Sequence, residues 1–257
     1  MTQLELCFAP DGAGRTRLVE RRAGYPYSVT APMMRPGGVA QLTLQSISGG
    51  LYGGEHVGQS IKLREGASVH LVQPAATTVR RSAAAGPALQ HIRLEAGACA
   101  RLIYATRPLI MLPGAILRQE WEIVVSASAK LLFWDGFVSH SPNGERPDWS
   151  LVSRVTLRRD NGKRLASERM NVDGSALGIG FQGTPGAFNA FGKFWCLGHP
   201  PGGLKLDMML AGLEKVSAGI TSLPAEAGFT IALAAVDGGA LSTAMDSVLN
   251  DLEALWA

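Results

Sequence analysis

Apolar and polar positions alternate along most of this chain, and between Ile61 and Phe133 the alternation itself repeats. The stretch Ile61-Lys62-Leu63-Arg64-Glu65-Gly66-Ala67-Ser68-Val69-His70-Leu71 aligns without a gap on Ile92 to Leu102, and again on Ile123 to Phe133, a period of 31 residues. Each copy reads as a short strand with Ile and Leu or Val on one face, a turn, and a second strand. Gly66 and Gly97 supply the turn in the first two copies, and the third has no glycine there. The second strand of the first copy puts Ala67, Val69 and Leu71 on one side, and Ser68 and His70 on the other. The matching inward sets are Ala98, Ala100, Leu102 and Ala129, Leu131, Phe133. One such unit cannot bury its apolar face alone. Stacking three makes a continuous core with strands ~4.8 Å apart. The predicted fold class is therefore mainly β, with stacked, β-helix-like sheets. An evenly spaced β-meander is the plainer alternative.

The flanks carry the same alternation in shorter pieces. Leu4 to Phe8, Thr16 to Glu20 and Val39 to Gln45 read as strands. So do Val152 to Arg158 and Leu165 to Met170, joined through Asp160-Asn161-Gly162. Gly174 to Gly203 reads as a long loop whose Phe181, Phe188, Phe191, Phe194 and Trp195 pack as a lid or belong to a docking surface. Leu206, Met209, Leu210 and Leu213 have helical spacing, which predicts a helix over Leu204 to Val216. Leu241, Met245, Val248, Leu249, Leu252, Leu255 and Trp256 predict a closing helix over about 240–256, with Asp246, Asn250, Asp251 and Glu253 on its other face. The expected organisation is one β-rich domain over 1–257, with the repeat core at 61–133 and about two helices late in the chain.

Bulk properties narrow the function. The net charge is +3, and no basic stripe with interleaved aromatics marks a nucleic-acid binder. Cys7, Cys99 and Cys196 are few and far apart, so neither a disulfide framework nor a zinc knuckle is expected, and Cys99 is read as strand packing. No apolar run reaches about 18 residues and the start lacks a basic leader, which predicts a cytoplasmic protein without a membrane span. Mean hydropathy is +0.12, high enough to leave apolar surface for partners.

Gly49-Gly50-Leu51-Tyr52-Gly53-Gly54-Glu55 is dense in glycine, but it lacks the Lys-Ser/Thr pair of a phosphate loop and precedes a strand. Glu55 on this evidence is a turn residue. Further on come Gln73-Pro74-Ala75-Ala76-Thr77 with Arg80-Arg81, then Pro113-Gly114 with Arg118-Gln119, Trp134-Asp135, Gly144-Glu145 and Ile220 to Pro224. This ordered set resembles the urease accessory proteins of the UreD (also UreH) family, best over about residues 40–175. The chain departs from the family pattern in having Glu55 where an Asp is usual, Ser139-His140 where Gly-Arg is usual, and no arginine in Phe229 to Ala235. The resemblance implies a non-enzymatic maturation chaperone that binds apo-urease, a UreF-type adaptor and a UreG-type GTPase while nickel passes to the urease active site.

No nucleophile elbow, metalloprotease helix or dinucleotide fingerprint appears, and the five histidines have no ligand spacing. Nickel(II) accepts carboxylate and imidazole, and a transfer protein needs weak ligands in sequence. Under the resemblance Glu55, Asp135, His140 and Glu145 are candidates for a transient nickel path; each also reads as a surface loop charge. No firmly bound cofactor is expected. Two alternatives stay open. Asp135 and Glu145 are the acid and base of a carbohydrate hydrolase, or the chain is a scaffold that has lost nickel delivery.

Overall fold

The computed structural model describes residues 2–81, 86–144, 147–177, 188–200, 202, 204, 209–211 and 213–256, with Leu255 and Trp256 described by backbone alone. Its first strands are β1 (Leu4–Pro10), β2 (Thr16–Ala23), β3 (Tyr27–Val29), β4 (Met33–Arg35), β5 (Val39–Ser46) and β6 (Leu51–Tyr52). The repeat region follows with β7 (His56–Leu63), β8 (Ser68–Val72), β9 (Thr77–Arg80), β10 (Ala88–Ala96), β11 (Arg101–Ala105), β12 (Leu109–Met111), β13 (Ile116–Val125) and β14 (Lys130–Ser139). After it come β15 (Ser150–Arg159), β16 (Arg164–Asp173), the single turn α1 (Gly174–Leu177), β17 (Ala190–Leu197), β18 (Val216–Ser222), β19 (Gly228–Ala235) and α2 (Gly238–Trp256).

The chain winds as a β-solenoid of about three turns. Its sheets have the orders β16-β15-β13-β10-β7-β1-β2 and β18-β19-β17-β14-β11-β8-β5-β3. Within the coils, neighbours are parallel, as a solenoid requires: β7, β10, β13 and β15 on one side, β5, β8, β11 and β14 on the other. Antiparallel strands close both ends of the first sheet. Residues of alternate parity point inward, so Leu6, Ile61, Leu94, Ile123 and Leu157 form one buried rung. Opposite them Leu42, Leu71, Tyr104 and Phe133 form another.

These rungs correct the register expected from the period. Val69 lies beside Leu102 and Leu131, and Ile61 beside Leu94 and Ile123. The middle coil is thus displaced by two residues, and Ala100 rather than Ala98 takes the place equivalent to Ala67 and Ala129. A two-residue slip keeps every side chain on its own face, so the alternating pattern is equally satisfied in both registers. The turns decide. Amides of Ala67, Ala100 and Ala129 donate to the carbonyls of Arg64, Gly97 and Ser126 at 3.1, 3.1 and 3.2 Å. The third turn position falls on Gly66 (φ 71°) and on Cys99 (φ 56°), not on Gly97. Cys99 is an exposed turn residue rather than a packed strand residue. Its amide donates to Ser128 Oγ of the next coil at 3.0 Å.

The outer face of the second sheet holds a second core. Leu132, Trp134, Phe194, Ile231 and Leu233 meet Leu241, Ala244, Met245, Val248 and Leu252 of α2, which starts on the Asp237 carboxylate donated to by Ala240 N at 2.8 Å. The closing helix is therefore where the spacing predicts it. Of the other expected helix, residues 205–208 and 212 lie outside the described residues, and Val216 already belongs to β18. The aromatic segment also differs from expectation. Phe191 to Leu197 is strand, with Phe194 and Trp195 buried, while Phe181 lies outside the described residues.

Candidate functional site

Several inward positions break the apolar interior, and five of them cluster. β7, β10, β13 and β15 each carry one polar residue in an otherwise apolar set: Gln59, Gln90, Gln119 and Ser153, all buried. Gln90, Gln119 and Ser153 occupy one rung on three adjacent strands, so they span roughly 10 Å across the stack. The opposite sheet contributes Asp135, on the parity of Leu131, Phe133 and Phe137.

Four of these groups are joined, and Gln59 pairs separately with Tyr104. Gln119 Nε2 donates to Gln90 Oε1 at 2.8 Å. Ser153 Oγ lies 3.1 Å from Gln119 Oε1 and 3.0 Å from Asp135 Oδ2. The Tyr104 hydroxyl donates to Gln59 Oε1 at 2.6 Å, and burial pushes that phenol's pKa up. Tyr27, on the edge strand β3, places its buried hydroxyl near Gln59 and Gln90 without a hydrogen bond to either. Near the far edge, Lys193 donates to Glu168 of β16 at 2.5 Å, half-exposed. The hydrogen-bonded row itself runs from Gln90 on β10 through Gln119 on β13 and Ser153 on β15 to Asp135 on β14.

Burial dominates at Asp135 and raises its pKa to about 6. Ser153 pulls it down, Glu168 pushes it up, and Lys193 and the Trp121 indole pull it down. When Asp135 is protonated it donates to Ser153, freeing the Ser153 proton for Gln119. When it ionises, Ser153 must donate to the carboxylate and Gln119 Oε1 loses its donor. One proton therefore sets the direction of the chain of hydrogen bonds. Tyr27 Oη and Trp121 Nε1 are buried without a protein partner of good geometry. Such atoms are ordinarily served by water or an ion. A cavity of about 30 Å3 lies among Gln90, Gln119, Trp121 and Asp135, space for one water and none for a sugar ring. That argues against the hydrolase.

Local sequence explains how Asp135 is held. Trp134, of opposite parity, is buried in the outer core, and its ring lies where a Cβ on Gly192 would stand, 1.9 Å from that position. Gly136 and Gly192 face each other across β14 and β17 and leave the ring its place. The indole pins the strand from outside while the carboxylate faces in.

The other candidates are elsewhere. Glu55 caps its own turn, its Oε2 accepting from Tyr52 N at 2.9 Å. His140 is exposed at the end of β14, its amide donating to Met111 O. Glu145 lies outside the described residues. Asp135 alone of the four is placed in the row. A groove of about 420 Å3 along the starts of β7, β10 and β13 is lined by His56, His91, Arg118 and Glu120 and touches Gln90. Among the described residues no three His, Cys, Asp or Glu side chains gather as a metal-holding group. The glutamines were missed in the sequence because they lie in the apolar register. A single polar residue at an inward position of each strand was the available signal.

Over residues 1–257 the chain matches the profile of the family described as UreD urease accessory protein. It belongs to that family. Relatives agree: "Urease accessory protein UreD 1" of Methylorubrum populi is 36% identical over 260 residues, covering 96% of this chain and 86% of that protein. The protein of the same name from a Bradyrhizobium strain (BTAi1) is 31% identical over 244 residues, covering 92% and 85%. A UreD protein has its part in urease maturation, as an accessory. Among the described residues no helix is long and apolar enough to cross a membrane.

Proposed function

We propose that this UreD protein is a docking scaffold for urease maturation, and that the polar row through its interior is a path for nickel as cargo. Its partners in this reading are apo-urease, a UreF-type adaptor and a UreG-type GTPase, in the cytoplasm, where Cys7, Cys99 and Cys196 remain free thiols. The observation that carries the reading is the hydrogen-bonded series Gln90, Gln119, Ser153 and Asp135 in an apolar interior, with the pair Tyr104 and Gln59 beside it. Polar groups are costly there unless they are hydrogen-bonded, and these satisfy one another. Their chemistry suits passage rather than capture. Amide, hydroxyl and carboxylate oxygens hold nickel(II) weakly, whereas thiolate or clustered imidazole would retain it. Asp135 is the one anionic step. Deprotonated it attracts the cation, and protonated it releases it.

The chain's work in this reading is to bind proteins and shield an ion, with no bond made or broken. The test is co-expression with a urease operon lacking its native UreD copy, scored by urease activity and nickel content. Restoration by the wild-type chain and loss with Asp135→Asn are expected. Failure of the wild-type chain to restore activity overturns the scaffold role; full restoration by the variant overturns the path alone.

A further inference from the structure

Among the described residues four strands end the two main sheet paths, three of them guarded, and the further edge strands β4 and β6 are three and two residues long. β2 carries Arg17, Glu20, Arg21 and Arg22; β16 carries Arg164, Glu168, Arg169 and Asp173; β3 is three residues long. Charge and shortness are the usual protections against strand addition. The fourth edge, β18, has neither. Its seven residues, Val216-Ser217-Ala218-Gly219-Ile220-Thr221-Ser222, include no charge and no proline. All but Val216 are exposed, Ile220 among the exposed large apolar residues. Among the described residues β18 pairs with β19 alone.

Its open backbone groups can be assigned. Val236 N donates to Lys215 O, and Leu223 N to Gly228 O, in the register that pairs Ser222 with Phe229. Odd-numbered residues of β18 therefore bond to β19, and antiparallel strands alternate. The N–H and C=O groups of Val216, Ala218, Ile220 and Ser222 point away from the sheet.

We propose that this edge joins two copies of the chain, β18 pairing antiparallel with β18 of a second copy about a two-fold axis at Gly219. The sequence is self-complementary in that register. The outward-pointing residues meet each other, Val216 with Ser222 and Ala218 with Ile220, giving roughly eight backbone hydrogen bonds. Ala218 and Ile220 fall on the same face as their β19 partners Leu233 and Ile231, the face that α2 covers. Ser217 and Thr221 meet on the other face, a favourable hydroxyl pair. Gly219 meets Gly219 at the axis, where backbones come closest, and space around it is open. No like charges face one another anywhere along the strand.

The test is sedimentation equilibrium of the full chain over a wide range of concentration. A monomer–dimer equilibrium is expected. Gly219→Lys puts two ammonium groups opposite each other and weakens the dimer about fivefold or more, as does Gly219→Glu. Mixing the two variants restores a heterodimer. Ala218→Pro removes an N–H that β19 does not use and abolishes pairing; unchanged thermal unfolding of each variant keeps a folding defect apart. A wild-type chain that stays monomeric throughout overturns the proposal. So does a dimer indifferent to these substitutions, or an edge whose substitutions impair only the capture of another protein.

Discussion

Replacing Asp135 by Asn should make the protein more stable and less useful. The folded-state pKa of Asp135 lies at about 6, against an ordinary 3.8. Folding favours its protonated form, so its contribution to stability is best below pH 4 and worsens as pH rises through 6. Above that, ionisation costs the native state about 3 kcal/mol from the size of the shift. Asparagine stays neutral at every pH, fills nearly the same volume and still accepts from Ser153. Its amide gains two donors that the site only partly satisfies, a loss of about 1 kcal/mol. The net gain at pH 8 is about 2 kcal/mol. For a chain of this size that is an increase in Tm of roughly 4–8 °C. Below pH 4 the gain should vanish, leaving the variant equal or slightly worse. Thermal unfolding across pH reads this directly, while urease activation in cells falls. A variant no more stable than wild type at pH 8 would refute the electrostatic argument, and a pH-independent gain would refute its assignment to Asp135.

Other expectations follow from packing and turn geometry. Gly192→Ala drives a methyl into the Trp134 ring, and should destabilise by about 3 kcal/mol, read as a urea midpoint shift. Cys99 holds a left-handed φ of 56°, so Cys99→Gly should raise stability by about 0.5–1 kcal/mol, whereas Gly66→Ala at φ 71° should lower it by about 1 kcal/mol. His70 is buried, with Nδ1 2.5 Å from Arg35 and Nε2 3.3 Å from Glu253 of α2; Arg101 lines the same pocket. Burial lowers its pKa from 6.5, Glu253 opposes this and Arg35 adds to it. The neutral form is the folded one, so stability present above pH 6.5 should fall as pH drops through it. His70→Gln should flatten that dependence in unfolding titrations between pH 7 and 5.

Much of this architecture was legible in alternation alone. Faces were assignable because side-chain parity survives errors of two residues, so Val69, Leu102 and Leu131 were correctly placed inward. The same tolerance hid the displaced middle coil. The register is set at the turns, where Cys99 takes the left-handed conformation that Gly66 takes in the coil before, and a cysteine is not a turn signal. The site was less legible for a different reason. Asp135 stood out as an acid beside a tryptophan, whereas Gln90 and Gln119 carry no charge and their link depends on neighbouring strands. The glycines around Glu55 marked it as a turn residue, and its carboxylate does serve the turn they form; only the family resemblance made it a nickel candidate.

In the proposed function an ion moves through the polar row. Gln90→Leu together with Gln119→Leu tests it most directly, because both partners of the bond are removed and replaced at similar volume, which leaves stability nearly unchanged. The measurement is nickel bound per urease active site in cells relying on this chain, alongside recovery of the intact accessory assembly. Assembly should persist while nickel content falls severalfold. Wild-type nickel content in the double variant would contradict it.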